Sequence, residues 1–282
     1  MKKKLVNYFP PLSIILFALL FSSCKREDTI NIPLIDLGGD TWVQSATDKW
    51  LYDSVLVPYN IEVIYKSNIS QNSADPNLLL APPADSLVIP YMKVLKKIWL
   101  TVYDQASGSK LFMQRNAPKN ILLVGSSDPN AAGVAEGGAK ISLFGVNNFR
   151  SAAAVDLGLA HTVHHEFAHQ LAALAGIPTA YALITRADYA GAGWRVATGD
   201  PNHLGFISAY ARKDVGEDFA EMVSTMLVNP GFYASVLANP DVVRSGGAGK
   251  LKQKEQIITE LFSDKLRIDF YQLQSTLQQS LK

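Results

Sequence analysis

Residues 157–175 read LGLAHTVHHEFAHQLAALA, and the segment HEFAH at 165–169 has the pattern H-E-x-x-H. The apolar spacing predicts one helix over this stretch, which Gly176 and Pro178 end. Residues four apart lie on one helix face about one turn from each other, so His165 and His169 can reach a single ion. The stretch therefore predicts a helix that carries two metal ligands.

Glu166 lies between the two histidines in the sequence. A carboxylate at this position can take a proton from water and later deliver it to a leaving amine. A metal ion held by the histidines would lower the pKa of water towards neutrality. These are the parts that hydrolysis of an amide bond requires. The alternative, an amphipathic helix with two satisfied histidines, stays open here.

A third ligand is expected, because catalytic zinc usually has three protein ligands and one open position. One enzyme class places a histidine six residues after the second, and alanine at position 175 excludes that class. The remaining candidates lie in EDFAE at 217–221, on a helix predicted over Glu217–Val228. Glu217 and Glu221 share a face, so one can bind the metal while the other accepts a ring N–H from a ligating histidine.

The two motifs together resemble the gluzincin metallopeptidases, and the second is similar to that of anthrax lethal factor. The resemblance implies that zinc is bound by His165, His169 and Glu217, with Glu221 in support. It also implies a catalytic tyrosine seven residues before the ligand glutamate, which is Tyr210. A phenol there can donate a hydrogen bond to a developing oxyanion. The alternative for this tyrosine is a core or surface aromatic.

The other histidines and the aromatic residues after the helix have plainer interpretations. His161 could support the site, although a place on the helix surface or in the core is favoured, and His164 is expected to point elsewhere on the helix. His203 could contact substrate or replace Tyr210, but a plain loop histidine is favoured. Tyr181, Tyr189 and Trp194 could line a cleft, or could pack down the long loop predicted at 176–205.

The N-terminus has the pattern of an export signal. Lys2, Lys3 and Lys4 precede an apolar run that is short for a membrane span, and the chain's one cysteine, Cys24, follows. A lone cysteine has no disulfide partner, and the segment 20–24 resembles a lipoprotein box. These features predict a signal peptide at 1–23, lipidation at Cys24, a tether at 24–40 and one domain at 41–282. An ordinary signal peptide with an incidental cysteine is the alternative.

Charge excludes some classes of partner. The chain has 26 Lys+Arg and 25 Asp+Glu, and removal of 1–23 takes away three lysines and no acid, which gives 23 − 25 = −2. No basic surplus remains to release counterions, so nucleic acid is not expected as a partner. Contact with the membrane is expected through the lipid at Cys24 instead.

The order of the features, a lipoprotein signal, a tether and a domain with HEFAH and EDFAE, resembles the zinc metallohydrolase lipoproteins encoded beside energy-coupled outer-membrane nutrient importers. This resemblance implies an outer-membrane lipoprotein of the cell envelope and importer components as partners. The charged tract 25–28 resembles a tag for surface export, and a solvated tether explains it equally well.

The predicted fold is α+β and zincin-like, with a small twisted sheet, an active-site helix and a mainly helical C-terminal half. Residues 139–146 are the predicted edge strand that would bind an extended substrate. The other predicted elements are a helix over Thr47–Leu56 ended by Pro58, strands over Asn60–Lys66 and Ile121–Val124, a helix over Leu87–Ala106 capped by Asp85 or Ser86, and helices near the C-terminus.

The predicted function is a zinc-dependent metallopeptidase with one Zn²⁺ per chain and a peptide or protein substrate. A non-catalytic accessory or capture lipoprotein of an importer is one alternative, and a zinc hydrolase of a non-peptide substrate is another. Glu166 argues against the first alternative, because a purely structural site has no use for a base and usually closes its fourth position.

Overall fold

The computed structural model describes residues 44–66, 80–129, 131–136, 138–150 and 157–282. The predicted signal peptide, Cys24 and the predicted tether lie outside the described residues, so those predictions and the proposed domain boundary at 41 remain untested. None of the helices in the described ranges is long and apolar enough to cross a membrane.

The N-terminal part of the domain is a mixture of helices and strands. Helix α1 covers 46–59, with a π-helical turn at Tyr52–Leu56, and α2 covers 85–107, with another at Lys96–Leu100. Helix α3 is Leu111–Asn116. The strands are β1 Glu62–Ile64, β2 Asn120–Leu123, β3 Gly133–Glu136 and β4 Lys140–Leu143.

The second part, from residue 157 to residue 282, has helical elements only, where a mainly helical half was predicted. Its helices are α4 Leu157–Ala175, α5 Thr179–Ile184, α6 Pro201–Leu204, α7 Val215–Val228, α8 Pro230–Ala238, α9 Pro240–Ser245, α10 Gly247–Leu261 and α11 Phe270–Ser280. The predicted α+β class and the predicted bounds of the motif helix α4 are confirmed.

The four strands form one sheet in the order β1-β2-β4-β3. Strands β1, β2 and β4 are parallel, whereas β3 pairs antiparallel with β4. The prediction that 139–146 supplies the edge strand is therefore wrong, because β4 lies inside the sheet and β3 lies at its edge. The sequence of β3, GVAE, offers no apolar alternation, so its own pattern does not predict the strand that pairs with β4.

Strand β3 lies directly against α4. A Cβ atom on Gly133 would lie 2.7 Å from Thr162 Cγ2 and 3.1 Å from Glu166 Cγ. A larger residue at this position would force the Thr162 or Glu166 side chain to move. The edge of the sheet is thereby held against the helix face that carries the H-E-x-x-H motif.

Two other predicted boundaries need correction. Pro58 does not end α1, which continues through Tyr59 to Asn60, where the backbone turns left-handed at φ 56°. Neither predicted cap begins α2: its N-cap is Ala84, and the Asp85 carboxylate instead accepts a hydrogen bond from Thr47 Oγ1 at 3.0 Å. The Asp85 side chain thus bonds to a residue of α1 and not to the backbone at the start of its own helix.

The segment 176–205 is not a long loop. It contains the short helices α5 and α6 and 3-10 turns at Arg186–Asp188 and Gly191–Val196. Helix α6 begins at Pro201, and the Asp200 side chain caps it by accepting a hydrogen bond from Asn202 N. The glycines and prolines of this segment lie at the ends of short helical turns.

The large core joins both parts of the domain. Helix α4 packs against α7, β3 and α2. Phe167 lies on the buried side of α4, with its ring centroid 5.3 Å from that of Trp99 and 4.9 Å from that of Tyr103, both edge to face. This packing fixes the rotation of α4 and so decides which residues face the cleft.

Candidate metal centre

Helix α4 divides its histidines between two faces. His164 is fully buried on the core side, and its Nε2 lies 3.1 Å from the carbonyl oxygen of Ile98. Burial lowers the pKa of His164 to about 4, so this imidazole is neutral at physiological pH. His165 and His169 face the cleft, as the i, i+4 spacing predicts.

Three potential ligand atoms converge beside α4. His165 Nε2 and His169 Nε2 lie 3.1 Å apart, and Glu217 Oε2 lies 3.1 Å from the first and 3.2 Å from the second. Tetrahedral ligands at zinc bond lengths of about 2.0–2.1 Å would be roughly 3.3–3.4 Å apart. The observed spacing is close to this value, so the donor set fits a zinc ion with one position left open to the cleft.

Glu217 reaches this point because of how α7 begins. The Asp214 carboxylate caps the helix by accepting hydrogen bonds from Gly216 N at 2.9 Å and Glu217 N at 3.0 Å. The cap fixes Glu217 in the first turn, where the helix dipole favours an anion. Burial raises the pKa of Glu217, but the His165, His169 and Lys213 side chains around its carboxylate outweigh this effect and hold the pKa well below its usual range.

The second oxygen of Glu217 is bound separately. Tyr210 Oη donates to Glu217 Oε1 at 2.6 Å, and Lys213 Nζ donates to the same oxygen at 2.7 Å. The Tyr210 ring stacks on the His165 ring with centroids 5.9 Å apart. Burial and the neighbouring carboxylate raise the pKa of Tyr210 to about 12, so the phenol keeps its proton.

Glu221 contacts the outer side of His165. Its Oε1 lies 2.9 Å from His165 Nδ1, although the alignment falls short of a regular hydrogen bond. The same oxygen lies 3.1 Å from His161 Nε2, and Ser208 Oγ donates to Oε2 at 2.6 Å. A carboxylate beside Nδ1 favours the proton there, which leaves the Nε2 lone pair of His165 facing Glu217 and His169.

His161 contacts Glu221, as the supporting place that the sequence left open would have it, while its side chain stays partly exposed on the helix surface. His161, His165 and Glu221 form a second group whose ligand atoms are close enough for a metal. That group shares His165 with the first, and the cleft is lined by His169 and Glu217 but not by His161 or Glu221. The first group is therefore the candidate metal centre.

Glu166 lies at the wall between α4 and β3. It is 7% exposed, and the Ala135 backbone N–H donates a hydrogen bond to its carboxylate. Burial raises the pKa of Glu166, while the neighbouring His165 and His169 oppose the rise. A carboxylate with a raised pKa beside a ligand cluster is suited to accepting and returning a proton.

The centre opens into a cleft of about 460 Å³. One wall is β3 with its flanking turns, and the opposite wall is the start of α7 with the segment before it. The lining residues are Ala131, Gly133, Val134, Ala135, Gly138, His165, Glu166, His169, Gln170, Ala173, Tyr210, Lys213 and Glu217.

The segment before α7 is fastened by Arg212, a residue that the sequence did not single out. Its side chain is buried and donates to the carbonyl oxygens of Thr198 at 2.8 Å and Asp188 at 3.3 Å. The Trp194 ring, which lies between them in the chain, packs on Tyr210 with centroids 4.9 Å apart. Trp194 therefore supports the tyrosine next to the cleft.

The remaining residues that the sequence singled out lie away from the centre. Tyr181 is fully buried and contacts Phe219 at a centroid distance of 5.8 Å. Tyr189 Oη donates to Asp218 Oδ2 at 2.8 Å. His203 is on α6, with Nε2 4.0 Å from Asp200, and it is not among the residues that line the cleft.

The chain is similar to proteins that are described as zinc-binding metallopeptidases. The family model described as "Putative zinc-binding metallo-peptidase" matches residues 40–271. A crystal structure at 2.10 Å resolution from Bacteroides caccae, described as a putative zinc-binding metallo-peptidase, superposes with a TM-score of 0.70 at 26% identity, covering 85% of this chain and 95% of that chain. No curated protein matches the chain.

Proposed function

This chain belongs to the "putative zinc-binding metallo-peptidase" family, whose model it matches over residues 40–271, and on that premise we propose that it is a zinc-dependent peptidase. The observation that carries the proposal is the convergence of His165 Nε2, His169 Nε2 and Glu217 Oε2 within 3.2 Å of one another at the floor of an open cleft.

A zinc ion held by these three side chains would polarise the carbonyl of the bond to be cleaved and lower the pKa of water. Glu166 takes the proton from the attacking water and delivers it to the leaving amine. The Tyr210 hydroxyl donates a hydrogen bond to the oxyanion that forms on the former carbonyl oxygen. Its position against His165 and Glu217 supports this role.

The position of β3 at the end of the sheet supports a peptide as the substrate. Strand β3 pairs on one side with β4, and Val134 and Ala135 line the cleft next to Glu166. An extended peptide can add to such an edge through backbone hydrogen bonds, which places a peptide bond near the metal centre. This edge replaces the one at 139–146 that the sequence predicted.

The proposal predicts about one zinc per chain and hydrolysis of a mixed fluorogenic peptide library that stops when a chelator removes the metal. Elemental analysis and a fluorescence assay on the chain lacking residues 1–24 measure both. Zinc without cleavage would favour the accessory lipoprotein or a non-peptide substrate, and a chain without zinc would refute the site.

Replacement of Glu217 by alanine is expected to weaken zinc binding more than replacement of Glu221, because only Glu217 presents an oxygen to both Nε2 atoms. Loss of Glu221, which contacts the outer side of His165, should cost about 10–100-fold in zinc affinity. Competition with a chromophoric chelator gives both affinities. The reverse order would transfer the ligand role to Glu221.

We also propose that the chain is exported and lipidated at Cys24, as an outer-membrane lipoprotein that works with importer components. The support is the N-terminal sequence and the resemblance that it carries. Labelling with a radioactive fatty acid should mark the wild-type protein in the membrane fraction and not the Cys24→Ser variant. Equal labelling of the two would contradict lipidation at this residue.

A further inference from the structure

The two carboxylate oxygens of Glu217 have different partners. Oε2 faces the imidazoles of His165 and His169, and Oε1 accepts hydrogen bonds from Tyr210 Oη at 2.6 Å and Lys213 Nζ at 2.7 Å. Lys213 Nζ also lies 3.3 Å from Tyr210 Oη. Under the proposed function, one oxygen is reserved for the metal and the other for these two donors.

Tyr210 cannot keep this contact throughout a reaction. A phenol has one O–H, so it cannot donate to Glu217 and to a substrate oxyanion at the same time. When it turns to the substrate, Glu217 Oε1 loses a donor, and the Glu217 side chain is only 10% exposed. A buried carboxylate oxygen without a partner is unfavourable and would favour rotation of the ligand.

Lys213 is placed to fill this gap. Its ammonium has three donors, so it can hold Glu217 whether or not Tyr210 is present. It comes just before the N-cap Asp214, where the helix dipole disfavours a cation. The contact with Glu217 therefore offsets the unfavourable position of the Lys213 ammonium near the start of the helix. Of the described residues that line the cleft, Lys213 is the one lysine or arginine.

We propose that Lys213 is a positioning residue that holds Glu217 through Oε1, so that Oε2 stays directed at the metal while Tyr210 is released to the substrate. Tyr210 and Lys213 are interchangeable partners of Oε1 in the resting enzyme. During turnover, Lys213 alone keeps its hydrogen bond to Glu217 Oε1. This inference rests on the proposed function, since it takes Glu217 as the zinc ligand.

The test is a double-mutant cycle on zinc affinity, which needs no substrate. Tyr210→Phe and Lys213→Met are each expected to weaken zinc binding by at most about threefold, because the other donor remains, whereas the double variant should lose about a hundredfold. Chelator competition measures all four affinities. Single losses that multiply to the loss of the double variant would overturn the proposal.

Turnover supplies the second readout. Lys213→Met should lower kcat by about tenfold with little change in KM, because Tyr210 stays engaged with Glu217, while Lys213→Arg should stay within about threefold of wild type. Lys93→Met, an exposed lysine on α2, is the matched control and should match wild type. An arginine variant as impaired as the methionine variant would also overturn the proposal.

The wild-type measurement separates the two levels of inference. If the wild-type protein binds zinc and the effects of the two substitutions are independent, the role of Lys213 is refuted and the proposed function stands. No zinc bound by wild type refutes the proposed function, and the role of Lys213 falls with it.

Discussion

Replacing Glu166 with glutamine is expected to lower kcat by about 10²–10⁴-fold while zinc stays bound. Glutamine has nearly the same shape, and its amide oxygen can still accept the hydrogen bond from the Ala135 N–H. It cannot accept a proton from water. Because Glu166 is not one of the three converging ligands, the metal content should be that of wild type.

The measurement pairs elemental analysis of zinc with kcat on the best peptide from the library. Glu62→Gln, an exposed position on β1, removes the same charge away from the cleft and should leave both quantities unchanged. If the Glu166 variant keeps its activity, another group is the base. If it loses zinc as well, Glu166 has a structural role that its present contacts do not indicate.

Local patterns in the sequence were sufficient to predict the part of the metal centre that lies on the single helix α4. The bounds of α4 and the shared face of His165 and His169 follow from helical periodicity and a glycine stop. The prediction that Glu217 lies close to His169 depended on the resemblance to the gluzincin metallopeptidases. The two residues are 48 positions apart in the sequence, and only the packing of α4 on α7 brings them together.

Other parts of the site depend on contacts that the sequence pattern does not encode. Strand β3 has no strand periodicity, and it exists because β4 pairs with it. One signal was nevertheless present: His161 is four residues before His165 on the same helix, so the two share a face. Lys213 offered no such signal, because the extended N-cap Asp214 separates it from the helix that carries Glu217. Their partners could be assigned only from distances.

The residue after the proposed ligand Glu217 joins α7 to α10. Lys254 Nζ donates to Asp218 Oδ2 at 2.6 Å and to the carbonyl oxygen of Gly205 at 2.8 Å, and both charged side chains are 0% exposed. Burial raises the pKa of Asp218 and lowers that of Lys254 to about 8, so each charge depends on the other.

Replacement of Lys254 by methionine is expected to lower the free energy of unfolding by about 3–5 kcal/mol, because it leaves the Asp218 carboxylate buried without its cation. Denaturant unfolding of the chain lacking residues 1–24 measures this loss. Lys252→Met is the matched control, since Lys252 is exposed on the same helix and its removal should cost less than about 0.5 kcal/mol.

A second substitution separates the lost charge pair from lost packing. Asp218→Asn in the Lys254→Met background removes the uncompensated charge and should recover a large part of the stability, although the asparagine still needs the hydrogen bond from Tyr189. No recovery would mean that the aliphatic stem of Lys254, whose ammonium lies 4.2 Å from the Phe206 ring centroid, contributes mainly by packing. Recovery would show that the loss in the Lys254→Met variant comes from the unpaired Asp218 charge, which lies next to the proposed ligand Glu217 where α7 meets α10.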